Sequence, residues 1–81
     1  LCEFDDYSRT FVFNENLREF SESIGIDEIK LVNVEYSSTH IFGLLDNEEI
    51  LINRVSGEIS SVVNDESPKL GNCQLLDSRK F

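Results

Sequence analysis

"HIFGLLDNEEILINRVSGEIS", residues 40–60, is the stretch with the strongest β-strand pattern in this chain. Short runs rich in Ile, Leu and Val are separated by acidic, Asn, Ser and Gly residues that favour tight turns. The predicted strands are residues 40–45, 49–55 and 58–63. The first turn falls at residues 46–48, and the second begins at Ser56-Gly57. Two successive hairpins predict an antiparallel β-meander.

Strand patterns also lie on the N-terminal side of this meander. Residues 9–13, RTFVF, combine β-branched and aromatic side chains, which favours a short strand. In IDEIKLVNVEYSS, residues 26–38, apolar side chains occupy both parities of the strand alternation. That pattern predicts a strand buried on both faces, or a strand with a bulge near Leu31-Val32.

The segment NENLREFSESIG, residues 14–25, has a helical period. Asn16 followed three residues later by Glu19 resembles a capping box, and Gly25 suits the residue after a helix end. The apolar residues between them fall at i, i+3 and i+7, namely Leu17, Phe20 and Ile24. The segment therefore predicts a short amphipathic helix.

A chain of 81 residues, 40% of them hydrophobic, is long enough for one small core. We predict a single α+β domain over residues 1–81, in which the helix at 14–25 packs on one face of the meander. The acidic residues 1–8 are predicted to be irregular, and residues 64–81 to be rich in loops. Within the latter, three apolar residues are expected to add an edge strand or to dock on the core, namely Leu75, Leu76 and Phe81.

Carboxylates dominate the charge of the chain. Sixteen Asp and Glu against seven Lys and Arg give a net charge of −9. Direct nucleic-acid binding needs clustered Lys and Arg, so we do not expect it. A membrane-spanning helix needs about 18 consecutive apolar residues. No apolar run in the sequence approaches that length, so we do not expect membrane insertion. The composition favours a protein partner with a basic surface, and the predicted contact residues are Asp46, Glu48 and Glu49 at the first turn.

Cys2 and Cys73 are the only two cysteines. A disulfide between them would enclose about 72 residues and would stabilise the fold by about 4 kcal/mol on the chain-entropy model. Two thiols alone do not establish an oxidising compartment. We expect a cytoplasmic protein if the cysteines are free and an extracellular one if they are bridged.

The residue patterns that catalysis usually requires are missing from the sequence. His40 is the only histidine, so a paired-histidine metal motif is excluded. The four glycines are too widely spaced for a phosphate-binding loop, and no serine lies in a G-x-S-x-G motif. We therefore expect a non-enzymatic protein without a cofactor.

Three segments, taken in order, resemble a cadherin repeat. Such repeats open with a Tyr-led strand ending in Glu-Asn, carry a Tyr-Ser strand, and continue with a Phe-led strand and a T-G-x-I-like turn. The matching segments are YSRTFVFNEN (7–16), NVEYSS (33–38) and FGLLDNEEILINRVSGEI (42–59), so the resemblance spans residues 7–59. The chain departs from the family in lacking its D-x-D, D-R-E and D-x-N-D-N motifs.

The resemblance implies an all-β, cadherin-like sandwich that acts as an extracellular adhesion module. In that family the Glu of the Glu-Asn motif is a calcium ligand, and it corresponds to Glu15 in this chain. Because the other ligand motifs are absent, the implied calcium binding is weak or lost. This is the alternative to the α+β prediction.

We favour the α+β fold because a sandwich of this length would be short of strands and would expose a sheet edge. The favoured function is a non-enzymatic acidic protein-binding domain, such as an inhibitor or immunity-type protein that caps a basic surface of its partner.

Overall fold

The computed structural model describes residues 1–64 and 66–74. These residues form nine β-strands, all paired antiparallel, and they contain no helix. The strands are β1 Cys2–Glu3, β2 Ser8–Asn14, β3 Glu19–Ile24, β4 Asp27–Lys30, β5 Val32–Tyr36, β6 His40–Leu45, β7 Glu48–Asn53, β8 Glu58–Val63 and β9 Lys69–Cys73.

The nine strands form one sheet in the order β4-β3-β2-β1-β9-β8-β7-β6-β5. Most strands pair with their neighbours in sequence, but β1 pairs with β9, and β4 and β5 lie at opposite ends of the order. The sheet curls into a nearly closed cylinder, since the chain passes from β4 to β5 through the single residue Leu31. The Leu31 amide donates to the Phe20 carbonyl of β3 at 2.8 Å, which extends the β3–β4 ladder by one residue.

The predicted helix at residues 14–25 is wrong, and with it the α+β fold class. This segment is the end of β2, a turn, and the whole of β3. Of the three residues with helical spacing only Phe20 is buried, whereas Leu17 is 64% exposed and Ile24 is 50% exposed. The Asn14 side chain accepts a hydrogen bond from the Leu17 amide at 3.4 Å, which caps a turn and does not start a helix. The all-β alternative is the correct class.

The strands predicted from residues 9–13 and from the 40–60 stretch are confirmed, with small shifts in their limits. The first turn is shorter than predicted, because Glu48 already belongs to β7 and only Asp46 and Asn47 connect the strands. Asp46 has a φ of 54°, a left-handed conformation that Asp tolerates in tight hairpins.

The irregularity predicted near Leu31-Val32 lies slightly later in the chain. The pairing of β5 with β6 changes register between Val32 and Glu35, and Asn33 between them has a φ of 52°. The segment is not a strand buried on both faces, because all four residues of β4 are exposed. Leu31 is instead the buried corner between two differently paired strands.

Two further strands lie inside the segments predicted to be irregular or loop-rich. β1 occupies part of residues 1–8, and β9 occupies part of residues 64–81. Cys2 and Cys73 are direct register partners in these strands. The expected docking of Leu75, Leu76 and Phe81 lies outside the described residues.

The core fills the inside of the curled sheet. Phe20 contributes from one wall, and three isoleucines of the opposite wall are register neighbours across β6, β7 and β8, namely Ile41, Ile52 and Ile59. Gly43 of β6 faces Phe20, and a Cβ atom at this position would lie 2.7 Å from the Leu31 side chain and 2.9 Å from Phe20. The absence of a side chain at this position lets the two walls pack closely.

Candidate functional site

The register of β6 to β9 gives this part of the sheet two distinct faces. Side chains alternate between the faces along each strand, and register partners on neighbouring strands share a face. The row from Ile41 through Ile52 to Ile59 points inward and is buried. The residues next to them in sequence must therefore point outward.

The outward face carries a band of apolar side chains. One row runs from Phe42 through Leu51 and Ser60 to Leu70, across four strands. A second row places Val32 opposite Leu44, and Glu49 separates Leu44 from Val62. We call the apolar members of both rows the apolar stripe: Val32, Phe42, Leu44, Leu51, Val62 and Leu70.

Several members of the stripe are large apolar residues that are exposed to solvent. Val32 is 59% exposed, Leu70 is 57% exposed and Leu51 is 38% exposed, while Phe42, Leu44 and Val62 are half-buried. Contiguous apolar surface on a small protein commonly marks an interaction site. The stripe is therefore the candidate functional site.

Carboxylates border the stripe. Glu35 is the register partner of Phe42, Glu49 lies between Leu44 and Val62, and Glu58 begins β8. All three are exposed. Among the described residues of β5 to β9, the positions on this outward face hold no Lys and no Arg. The border of the stripe therefore has a single sign of charge.

Two shallow grooves flank the stripe. A groove of about 340 Å³ lies over the β6–β7 turn, between Asp46 and Glu49 on one side and Val62 on the other. The Asn47 side chain donates to the Asn64 side-chain oxygen at 2.9 Å and joins this turn to the end of β8. A second groove of about 290 Å³ lies between Glu35, His40 and Phe42. The two grooves give the outward face an uneven surface beside the stripe.

The three predicted contact residues do not lie together. Asp46 and Glu49 are exposed beside the same groove, but Glu48 points to the inside of the sheet. Glu48 accepts hydrogen bonds from the Arg9 guanidinium at 2.5 and 3.0 Å and another from the Ser61 hydroxyl. Arg9 also donates to both carboxylate oxygens of Glu22, at 2.7 and 2.8 Å. We call these four residues, Arg9, Glu22, Glu48 and Ser61, the internal charge network.

Electrostatics favours the charged forms within this network. Hydrogen bonding to Glu22 raises the pKa of Arg9 above its ordinary value, which outweighs the opposing effect of burial. Burial alone would raise the pKa of Glu48, but the hydrogen bonds from Arg9 and Ser61 hold it below its ordinary value. The network links β2 and β3 to β7 and β8, so its first role is to join opposite walls of the fold.

Glu15, the residue that the cadherin resemblance points to as a calcium ligand, lies in the β2–β3 turn. Its carboxylate accepts a hydrogen bond from Arg54 at 2.7 Å, and this bond lowers the pKa of Glu15. Arg54 also donates to the Ser37 carbonyl at 2.6 Å. Within residues 1–64 and 66–74, no three His, Cys, Asp or Glu side chains are grouped in a way suited to holding a metal ion.

Cys2 and Cys73 form a disulfide that directly bridges β1 and β9. Both cysteines are buried, at 2% and 7% exposure. His40 begins β6, which β7 and β8 separate from β9, and its Nδ1 is 2.8 Å from the Thr39 hydroxyl. The structure therefore does not bring the single histidine next to either cysteine.

Comparisons with protein-family models, with curated proteins and with solved structures find no match to this chain. In the part of the chain that the structure describes, no helix has the length and apolar character needed to cross a membrane. The function is therefore inferred from the geometry of the stripe and its border.

The sequence analysis missed both the stripe and the internal charge network. A signal for the stripe was present, because HIFGLL and EILIN carry apolar residues on both parities, and both parities cannot face one core. No local signal marked the network, since Arg9 and Glu48 are 39 residues apart in sequence.

Proposed function

We propose that this chain is a non-enzymatic protein-binding domain that docks on a basic surface of its partner through the apolar stripe and its carboxylate border. The observation that carries the proposal is the combination of exposed Leu51 and Leu70 with the exposed carboxylates Glu35, Glu49 and Glu58 on one sheet face. Protein interfaces commonly have an apolar centre and a polar periphery. A border of one charge sign selects partners of the opposite sign and speeds their association.

The size of the face indicates how the partner would engage it. Five strands spaced by about 4.8 Å, each about six residues long, give a face of roughly 20 Å by 20 Å, or about 400 Å². A stable interface buries about 800 Å² on each partner. The stripe would thus supply the centre of the interface, and the carboxylates and the Asp46-Asn47 turn would supply its periphery. Capping of a basic active site by an inhibitor is one function with this geometry.

A peptide-library selection tests the proposal without a known partner. Random peptides displayed on phage are selected on the immobilised protein, and the enriched sequences are synthesised for titration. We expect Lys or Arg together with aromatic or branched apolar residues, and an affinity that falls with rising salt. Leu51→Lys should weaken these peptides about tenfold or more, as loss of a central contact does.

Leu17→Lys is the matched control, because Leu17 is 64% exposed and lies in the β2–β3 turn, away from the stripe. It should leave the affinity within about twofold, as expected for a residue outside an interface. Enrichment of uncharged peptides, or equal weakening by both variants, would contradict the proposal.

The disulfide favours an oxidising compartment, because such bonds persist outside the reducing cytosol. It gives some support to the second candidate, an extracellular adhesion module with a calcium ligand at Glu15. Thermal melting with and without millimolar calcium separates the two candidates. A protein-binding domain without calcium should melt at the same temperature in both. A rise in melting temperature that Glu15→Gln abolishes would favour the adhesion module.

A further inference from the structure

The edge strand β4 is a second surface with unused bonding capacity. It lies at one end of the strand order and pairs only with β3. All four of its residues are exposed. β6 pairs with β5, which begins at Val32, and not with β4. An exposed strand edge is a template on which another strand can pair.

The ladder with β3 fixes which backbone groups of β4 face outward. The Leu31 amide donates to the Phe20 carbonyl, so this pair is hydrogen-bonded to β3. Alternation along an antiparallel ladder then directs the amide and carbonyl of Ile29 to β3. The amides and carbonyls of Glu28 and Lys30 therefore point away from the protein.

We infer that β4 pairs antiparallel with β4 of a second copy of this chain, about a two-fold axis at Ile29. In this register Glu28 is opposite Lys30 of the second copy, and Lys30 is opposite its Glu28. The outward amides and carbonyls of these residues then complete hydrogen-bonded pairs, and each pair also brings opposite charges together on one face. Ile29, which is 43% exposed, meets its own counterpart.

Charge makes this register specific. A shift by two residues, which is the smallest shift that keeps the outward groups paired, sets Glu28 against Glu28 or Lys30 against Lys30. Like charges directly opposite one another destabilise a strand pair. The net charge of −9 on each copy opposes association only weakly at physiological salt. The molecule measures 24 to 31 Å along its axes, whereas the Debye length is about 8 Å.

This inference does not rest on the proposed docking face. β4 belongs to the β2–β3–β4 end of the strand order, whereas the stripe lies on β5 to β9. A dimer of this kind would carry two copies of the stripe. It would therefore bind a repeated or surface-immobilised partner with an avidity that a single copy lacks.

Sedimentation equilibrium of four proteins tests the inference: the parent, Glu28→Lys, Lys30→Glu, and the double variant in which the two charges are exchanged. The parent should dimerise. Each single variant places two pairs of like charge across the axis and should dissociate about tenfold or more readily. The double variant should recover the dimer to within about threefold of the parent, because opposite charges again meet.

An equimolar mixture of the two single variants provides the sharpest test. One variant carries Lys at both outward positions and the other carries Glu at both, so the mixture should form a heterodimer although neither variant dimerises alone. Glu66→Lys, which makes the same charge change at an exposed residue outside the strands, should leave the parent dimer intact. Circular dichroism confirms that each variant is folded. A parent that stays monomeric at millimolar concentration, or variants that dimerise like the parent, would overturn the inference.

Discussion

Glu48 and Glu49 are neighbours in β7, yet they belong to two surfaces with opposite properties. Glu48 points inward and is held by Arg9 and Ser61, so its charge joins the walls of the fold. Glu49 points outward between Leu44 and Val62 and is exposed. The difference shows that the face of the strand, and not the place in the sequence, decides whether a carboxylate is held inside the fold or exposed at the proposed docking surface.

The largest expected effect on the unfolding free energy comes from comparing Ile52 with Leu51, its neighbour in β7 on the opposite face. Ile52→Ala removes a side chain that is 1% exposed, and the cavity should cost about 4 kcal/mol of unfolding free energy. Leu51→Ala, on the stripe, should cost less than about 1 kcal/mol because that side chain is already 38% exposed. Urea denaturation of both variants measures the contrast. Equal losses would show that the stripe is part of the core.

A second contrast concerns the two half-buried arginines, Arg9 and Arg54. Arg9→Met keeps the apolar stem but leaves Glu22 and Glu48 without their cation, and we expect a loss of about 3 kcal/mol. Arg54→Met breaks an ion pair whose Glu15 partner is 53% exposed, and it should cost less than about 1 kcal/mol. Denaturant midpoints of the two variants test this order, and the reverse order would remove the structural role assigned to the internal charge network.

The pH dependence of stability sharpens the assignment of Glu48. Because its pKa is lowered in the folded state, its contribution is present above the ordinary value of 4.5 and is lost as the pH falls through the folded pKa. The unfolding free energy of Glu48→Gln should therefore fall less on acidification than that of the parent. Denaturation at neutral and at acid pH measures both slopes.

In Arg9→Met, the contribution of Glu48 to the pH dependence of stability should change sign. Without the guanidinium, burial of Glu48 is the dominant influence and raises its pKa, so protonation relieves the folded state. Acidification should then cost this variant less stability than it costs the parent. Identical slopes in the parent and Arg9→Met would contradict the coupling of these two residues.

The smallest effect on stability is expected at Glu49. Glu49→Lys changes an exposed side chain on the border of the stripe and should alter the unfolding free energy by no more than about 0.5 kcal/mol. It should nevertheless slow association with any basic ligand recovered by peptide selection, since border charges act mainly on the association rate. Stopped-flow mixing measures that rate. An unchanged rate would restrict the recognition surface to the apolar stripe itself.

The comparison of the two faces also explains what the sequence could predict. The hairpins of residues 40–60 were predicted correctly because strand alternation and turn residues are local signals. The helix at 14–25 failed because Phe20 and Ile24, four residues apart, share a face in a strand as well as in a helix, and Leu17, the residue that fits only the helical period, lies in a turn. Burial of Phe20 against Leu31 and Gly43, which selects the strand, depends on residues far along the chain.

The candidate site was predictable only in part for the same reason. The acidic turn was identified from composition, and Asp46 and Glu49 do lie on the surface near the stripe. Glu48 was grouped with them because the face of each strand residue depends on the register of the hairpin. The predicted turn of residues 46–48 was one residue too long and placed Glu48 outside β7. Leu70 belongs to the same outward row as Leu51 because β9 pairs with β8, and this pairing is not visible in the local sequence.

The pairing of β1 with β9 has a mechanical consequence. The Leu1 and Gln74 backbones exchange hydrogen bonds of 2.8 and 2.9 Å, and the disulfide lies one residue further in at each strand. Tension applied between positions 1 and 74 would pass through the covalent Cys2–Cys73 link and would bypass the 71 residues of sequence separation that it spans. The residues between the two cysteines would then carry no tension, and they would extend only after the disulfide is reduced.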